Sequence, residues 1–407
     1  MLIKAFLIAL LFSFFIYSEA FGVSFKLINT AFGLIALFFI IKSKTYELFW
    51  IGFFIAILWF YWIGLSFRYY DLYWMIPFVI IFIGVVYGLL FWIMGKISSF
   101  FSNFMQPFIK VLFLLNFSYI KPFGFNWFIP ELIFLDSYIK TDKFSFFIVL
   151  ISIFILSLTH SIKKRFFLLL FFIAILFFIK QENIKEPNLA PIKIYLSQTS
   201  LPQDIKWDPK FEAKIVDENF KIIKNSIKNG YDLVVLPETA FPLYLNMREN
   251  ILKELINFSQ KISIVTGALY FKDGSSFNST YIFTNKKFIV ANKVILVPFG
   301  EEVPFPKPLA KIVNRLFFND AQDYESAKEP TDFEIEKIKF RNAICYEATH
   351  PKLYKNSPKY MIAISNNGWF TPSIEPILQN LIIKFYARRY NVIVYHSTNI
   401  AKTEVIW

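Results

Sequence analysis

The chain has 407 residues, a mean hydropathy of +0.47 and 56% hydrophobic residues, with only 18% charged and 53 Phe. A soluble protein carries about a quarter charged residues, so a wholly soluble chain is excluded. The net charge of +13 forms no basic stripe clear of the apolar segments, which points to anionic lipid headgroups and away from nucleic acid.

The first 185 residues read as a membrane domain. A spanning helix needs about 20 mainly apolar residues, and seven candidates fall roughly at 4–19, 28–42, 46–66, 72–95, 100–120, 144–160 and 166–180. The fifth holds Pro107 and Lys110 and is the weakest. Ser18-Glu19-Ala20 after the first apolar run also resembles a signal cleavage site, but six further apolar segments favour an uncleaved first span. Lys42 with Lys44, Lys96, and Lys163-Lys164-Arg165 fall on alternate loops, on the side of Lys4, and mark the cytoplasmic face. Seven spans then place residues 186–407 outside the inner membrane, in the periplasm of a bacterium with two membranes.

Residues 186–407 alternate strand and helix patterns. Strand-like runs are Ile192–Leu196, Tyr231–Leu236, Ile262–Leu269, Thr280–Thr284, Phe340–Cys345, Tyr360–Ser365 and Val392–Tyr395. Phe211, Ile215, Ile222, Ile223 and Ile227 share one helical face, and Ile374, Ile377, Leu378, Leu381, Ile382 and Phe385 share another. That order predicts an α/β domain of layered sheets and helices.

Three stretches carry candidate chemistry. Glu238, in Leu236-Pro237-Glu238-Thr239, directly follows an apolar strand, where α/β folds place their sites; a solvated loop carboxylate reads the same way. Lys293 heads an apolar run ending in Pro298-Phe299-Gly300-Glu301-Glu302, and it fits a snorkelling surface lysine equally well. Cys345, the only thiol, ends a strand before Tyr346-Glu347, and alone it reads as a small buried hydrophobe. Together the three change meaning. Acyl transfer needs a nucleophile, a base for its proton and a cation facing the oxyanion, and Cys, Glu and Lys supply all three. With one cysteine and three dispersed histidines (His160, His350, His396), no disulfide, metal or cofactor is expected.

Glu…Lys…Cys in this order resembles the carbon-nitrogen hydrolase (nitrilase) superfamily, and within it the apolipoprotein N-acyltransferase family. The resemblance is carried by Pro237-Glu238-Thr239-Ala240, by Lys293 eight residues before Glu301, by Leu296-Val297-Pro298-Phe299-Gly300-Glu301 and by Cys345-Tyr346-Glu347. Asn366-Asn367-Gly368-Trp369-Phe370, Thr398-Asn399, Gln198, Gln203, Lys206-Trp207 and, in the membrane part, Gly124-Phe125-Asn126-Trp127 extend it. It implies a multi-span helical bundle followed by an α-β-β-α sandwich. It also implies Cys345 as nucleophile, Glu238 as general base, Lys293 as oxyanion stabiliser and Glu301 as a supporting acid. Tyr346 and Glu347 would shape the pocket, and Trp207 would lie near its entrance. The implied reaction is ping-pong: an acyl chain passes from a phospholipid, typically phosphatidylethanolamine, to Cys345, then to the α-amine of the S-diacylglyceryl cysteine of an apolipoprotein. Lys307–Phe318, apolar with interspersed basic residues, fits an interfacial arm or an ordinary packed amphipathic helix.

The family usually has Asp at Asn367, His at Asn380 and Arg at His396, and it continues past the Thr-Asn motif into more sandwich and a last membrane helix. Against that pattern the domain 186–407 is C-terminally short. Two other readings stay open at this point: a membrane-tethered amidase, and a degenerate non-enzymatic membrane protein that binds lipoproteins.

Overall fold

The computed structural model describes residues 1–159, 179, 180, 186–317 and 323–407. They fall into two compact units, Met1–Lys185 with Pro372–Phe385, and Glu186–Thr371 with Tyr386–Trp407.

The first unit contains α1 (Leu2–Ala20), α2 (Lys26–Lys42), α3 (Thr45–Phe60), α4 (Met75–Ser98), α5 (Gln106–Asn116) and α6 (Lys143–Leu158). Among the described residues, three helical stretches are long and apolar enough to cross a membrane: Leu2–Ala20, Thr45–Tyr70 and Met75–Ser98. The fifth expected span, 100–120, is corrected to an 11-residue helix with Pro107 in its first turn, where the missing N–H has no partner to lose. Lys110 is buried there, and its Nζ donates to the carbonyls of Ile41 (3.0 Å) and Ser43 (2.7 Å), capping the end of α2. The seventh expected span, 166–180, lies almost wholly outside the described residues, as do His160 and Lys163-Lys164-Arg165.

Helices α3 and α4 meet through glycines, as membrane helices do when backbones approach closely. A Cβ at Gly52 would sit 2.6 Å from the Tyr87 carbonyl, and one at Gly88 would sit 3.0 Å from the Phe49 ring. Gly95 lies against Thr45, and Lys4 pairs with Glu47 at 3.1 Å. These contacts gather Lys4, Lys42, Lys44 and Lys96 at one end of the helices, as one-sided loop charges require.

The second unit is built on two six-stranded sheets. In the first, β1 (Ile194–Leu196), β3 (Leu233–Val235) and β5 (Ser263–Lys272) run parallel, followed by antiparallel β6 (Ser275–Thr284) and β7 (Lys287–Asn292); β4 (Phe241–Tyr244) also pairs with β5. In the second, β9 (Ile338–Ile344), β10 (Tyr360–Asn366) and β11 (Ile393–Asn399) are parallel, β8 (Asp332–Ile335) and β12 (Glu404–Ile406) flank them antiparallel, and β2 (Gln198–Thr199) joins β11. Alternation decides the layers. Leu233 and Val235 point into a core shared with Phe340, Ile344, Ile362 and Tyr395 of the other sheet. Val234 and Leu236 point the opposite way, onto Ile223 and Leu255 of helices Glu212–Lys228 and Glu249–Phe258. Strand β3 is therefore apolar on both faces, as a covered parallel strand must be.

Each of the seven expected strand runs overlaps a strand, several overrunning it by one or two residues at an end. The run expected at Thr280–Thr284 is only the second half of β6, because the polar half Ser275–Ser279 hides it. Strands β2, β4, β7, β8 and β12 were not expected; they are short or carry mixed polarity.

Candidate active site

Glu238 emerges two residues past Leu236, where β3 gives way to a turn with Thr239 at φ 45°. Position 267 on β5 must be glycine for this turn to fit: a Cβ there would lie 2.3 Å from the Thr239 nitrogen and 2.7 Å from Glu238 Cα. The carboxylate is 7% exposed. Its Oε2 accepts the Asn366 backbone N–H at 2.7 Å, and its Oε1 accepts Asn278 Nδ2 at 2.8 Å.

Lys293 follows β7 and is buried, its backbone N–H held by the Asn278 carbonyl at 2.9 Å. Its Nζ lies 2.9 Å from Glu301 Oε1, 2.7 Å from Glu301 Oε2 and 3.7 Å from Glu238 Oε1. Burial works against the ammonium, but Glu301, Glu238 and Cys345 outweigh it and raise the Lys293 pKa well above the ordinary lysine range. Glu301 reaches this position through the turn Val297–Glu302. Phe299 adopts φ 62° there, and Glu301 Oε2 accepts the Val297 N–H at 2.9 Å.

Cys345 stands one residue past the Ile344–Ile364 pair of β9 and β10. That register sets it beside Ser365 and next to Asn366, whose N–H holds Glu238. The cysteine is half-buried and adopts φ 53°, a strained left-handed conformation at the strand end. Glu347 ties the cysteine turn to the lysine segment. Its Oε1 accepts the Ile344 N–H at 2.8 Å, and its Oε2 accepts those of Val294 at 2.6 Å and Ile295 at 3.2 Å. Burial pushes Glu347 up to about 7, against the pull of those N–H groups and Lys293. Tyr346 is buried beside it. Trp207 ends the short helix Gln203–Lys206 and is 36% exposed.

All seven expected site residues thus belong to the second unit, and Glu238, Lys293, Glu301, Glu347 and Cys345 converge at strand ends. Three further residues complete the cluster. Asn366 Nδ2 donates to Gln203 Oε1 at 2.9 Å, and Asn366 Oδ1 accepts Asn399 Nδ2 at 2.8 Å. Lys206 is buried, and its Nζ donates to the Glu238 carbonyl at 2.9 Å. Burial draws Lys206 down to about 7, while Glu238 and Cys345 pull it upward. Asn278 touches two carboxylates and was not singled out by the sequence. The available signal was an asparagine in Phe277-Asn278-Ser279-Thr280-Tyr281, a residue type depleted from strands. His396, where the family usually has Arg, is fully buried, with Nε2 2.8 Å from Ser365 Oγ.

Sequence comparisons agree across both units. The family model described as the apolipoprotein N-acyltransferase integral membrane domain matches residues 1–181, and the carbon-nitrogen hydrolase model matches residues 198–405. The apolipoprotein N-acyltransferase of Wolinella succinogenes is 42% identical over 399 residues, covering 98% of this chain and 94% of the relative. The apolipoprotein N-acyltransferase of Helicobacter hepaticus is 38% identical over 381 residues, covering 92% of each chain. That of Helicobacter pylori is 36% identical over 369 residues, covering 90% of this chain and 84% of the relative. The chain therefore belongs to the apolipoprotein N-acyltransferase family: it is an integral membrane acyltransferase with a carbon-nitrogen hydrolase catalytic domain.

Proposed function

We propose that the chain transfers an acyl group from phosphatidylethanolamine, through a Cys345 thioester, to the N-terminal amine of the S-diacylglyceryl cysteine of apolipoproteins. The observation that carries this reading is the cluster joining Glu238, Lys293 and the segment of the only cysteine, in a chain whose relatives are named apolipoprotein N-acyltransferases.

Glu238 takes the Cys345 proton as the sulfur attacks the ester carbonyl of the phospholipid. Lys293 faces the oxyanion that forms, and Glu301 keeps that ammonium charged and aimed. The C–O bond then breaks, and Glu238 returns the proton to the departing lysophospholipid oxygen. In the second half, the neutral α-amine attacks the thioester carbonyl and yields its proton to Glu238. The C–S bond breaks, and Cys345 recovers the proton. Glu347 acts as a clamp between the lysine segment and the cysteine turn. Tyr346 walls the pocket, and Trp207 stands near its entrance.

A thioester that waits for a second substrate must be kept from water. The burial of Glu238, Lys293 and Glu347 supports this. Both substrates are lipids, so the site opens at a bilayer surface. Helix Lys307–Phe317 supports such a contact: Leu309 is 46% and Ile312 54% exposed, between basic positions. The lysines gathered at one end of the first unit support the orientation: residues 1–185 anchor the chain in the inner membrane, and residues 186–407 act on its periplasmic side.

The test is a trapped intermediate. Purified protein given phosphatidylethanolamine with a labelled acyl chain is expected to retain label in a hydroxylamine-labile bond that Cys345→Ala abolishes. Absence of any labile adduct, with lipid and detergent varied, overturns the reading.

A further inference from the structure

One buried residue without a charge organises the charged groups of the site. Asn278 lies in β6 and is 4% exposed. An amide nitrogen carries two hydrogens, and this one gives them to Glu238 Oε1 at 2.8 Å and Glu301 Oε1 at 2.7 Å. The same residue's carbonyl holds the Lys293 N–H at 2.9 Å. Its Oδ1 is buried without a hydrogen-bond partner among the described residues. Flipping the amide would set that oxygen against two carboxylates, acceptor to acceptor, and leave both short of a donor. The orientation is therefore fixed by the carboxylates, and a buried polar atom is left unsatisfied to keep it so.

The two carboxylates are unequal in their hold on Lys293. Glu301 contacts the ammonium through both oxygens, at 2.9 and 2.7 Å, and Glu238 stands back at 3.7 Å. Two carboxylates competing for one ammonium tend to share a proton or crowd the cation. A neutral donor between them removes that competition. We propose that Asn278 is a positioning residue for the general base: its amide assigns Glu301 to the Lys293 ammonium and holds Glu238 back from it, free for the Cys345 proton. This rests on the reading of Glu238 as the base, given above.

Because the chain has one cysteine, its alkylation by iodoacetamide reports Cys345 alone, with no acyl donor needed. The full chain in detergent would be alkylated across pH 5 to 10, with its thermal midpoint measured alongside. The groups facing this network are Glu238, Glu301, Lys293, Cys345, Lys206 and Glu347, and all are retained in Asn278→Ala. Freed from the amide, Glu238 would close on the Lys293 ammonium from its present 3.7 Å and take up the positive charge that favours the thiolate. Asn278→Ala is therefore expected to raise the alkylation midpoint by about one pH unit. In a Glu238→Gln background it should add nothing further, because it acts through that carboxylate. Equal shifts in both backgrounds, or a lowered thermal midpoint with unmoved alkylation, would overturn the proposal. Should Asn278→Ala not fold, the isosteric Asn278→Asp serves in the same cycle: it puts a third carboxylate in place of the donor and should shift the midpoint at least as far, again only when Glu238 is present. A failure of the acyl-transfer reading itself appears elsewhere, as a missing thioester in the parent protein.

Discussion

The two units bury their residues for opposite reasons. In the membrane unit the packing problem is one of shape. Trp59 and Phe12 stack at 5.8 Å, Phe91 packs on Phe128, and glycines let α3 meet α4. Among its described ions, Lys143 pairs with buried Glu131, and buried Lys110 is held by two backbone carbonyls. In the catalytic unit, apolar strands deliver a compact group of buried charges to their ends, where Glu238, Lys293, Glu301 and Glu347 are held by specific hydrogen bonds. The contrast teaches that the first unit should respond to volume and the second to single atoms.

The most severe break of that contrast is Lys293→Met. Loss of the oxyanion cation is expected to slow thioester formation on the order of 10²–10³-fold, read in single-turnover labelling. The same change leaves Glu301 buried without its cation, and removing one partner of a buried pair costs about 3–5 kcal/mol. Lys293→Met with Glu301→Gln should therefore regain most of the stability and none of the rate. Recovery of rate in the double variant would show that Lys293 serves the fold and not the reaction.

The same contrast explains what was legible in the amino-acid sequence. Glu238 and Cys345 were legible because each ends an apolar strand, and Lys293 because it heads the apolar run that leads to Pro298-Phe299-Gly300-Glu301. Asn278 and Asn366 were not assigned roles, because their contribution is one amide or one backbone N–H aimed across sheets. Nothing in the local sequence encodes that partnership. In the membrane half, apolar runs marked the helices but overestimated the fifth. Apolar composition alone does not distinguish a spanning helix from the short α5 followed by turns, and Pro107 marks a helix start there instead of an interior. Of the polar strand β6 only the apolar half was visible, and the hidden half carries Asn278.

A smaller and purely steric effect tests the first unit. A side chain at Gly52 meets the Tyr87 backbone oxygen at 2.6 Å, which cannot move without shifting α4. At Gly84 the obstacle is the outer edge of the Phe53 ring at 2.7 Å, which can rotate away. Gly52→Val should therefore destabilise by about 1–3 kcal/mol, the usual cost of overpacking, and Gly84→Val by less. Thioester yield per folded molecule should stay at the parent level in both. A fall in that yield with the thermal midpoint unchanged would mean that helix packing reaches the chemistry directly.

The last test sharpens the electrostatic side. Burial draws His396 down to about 3, so the imidazole is neutral in the fold. An unfolded histidine titrates near 6.5. Between those values the unfolded chain binds the extra proton, so stability rises with pH across this interval. The contribution is complete above about 6.5 and is lost as pH falls toward 3, at about 1.4 kcal/mol per pH unit. By pH 5 the loss from this one group is about 2 kcal/mol. His396→Gln has no such proton to bind and can still meet Ser365 with a polar group. It should be less stable than the parent at pH 7.5 and yet lose less of its thermal midpoint between pH 7.5 and 5, while every carboxylate contributes equally to both proteins. Parallel curves would mean that the ring finds a compensating partner when it is protonated. Convergent curves would mean that a buried neutral ring between β10 and β11 sets part of the acid limit of the catalytic unit.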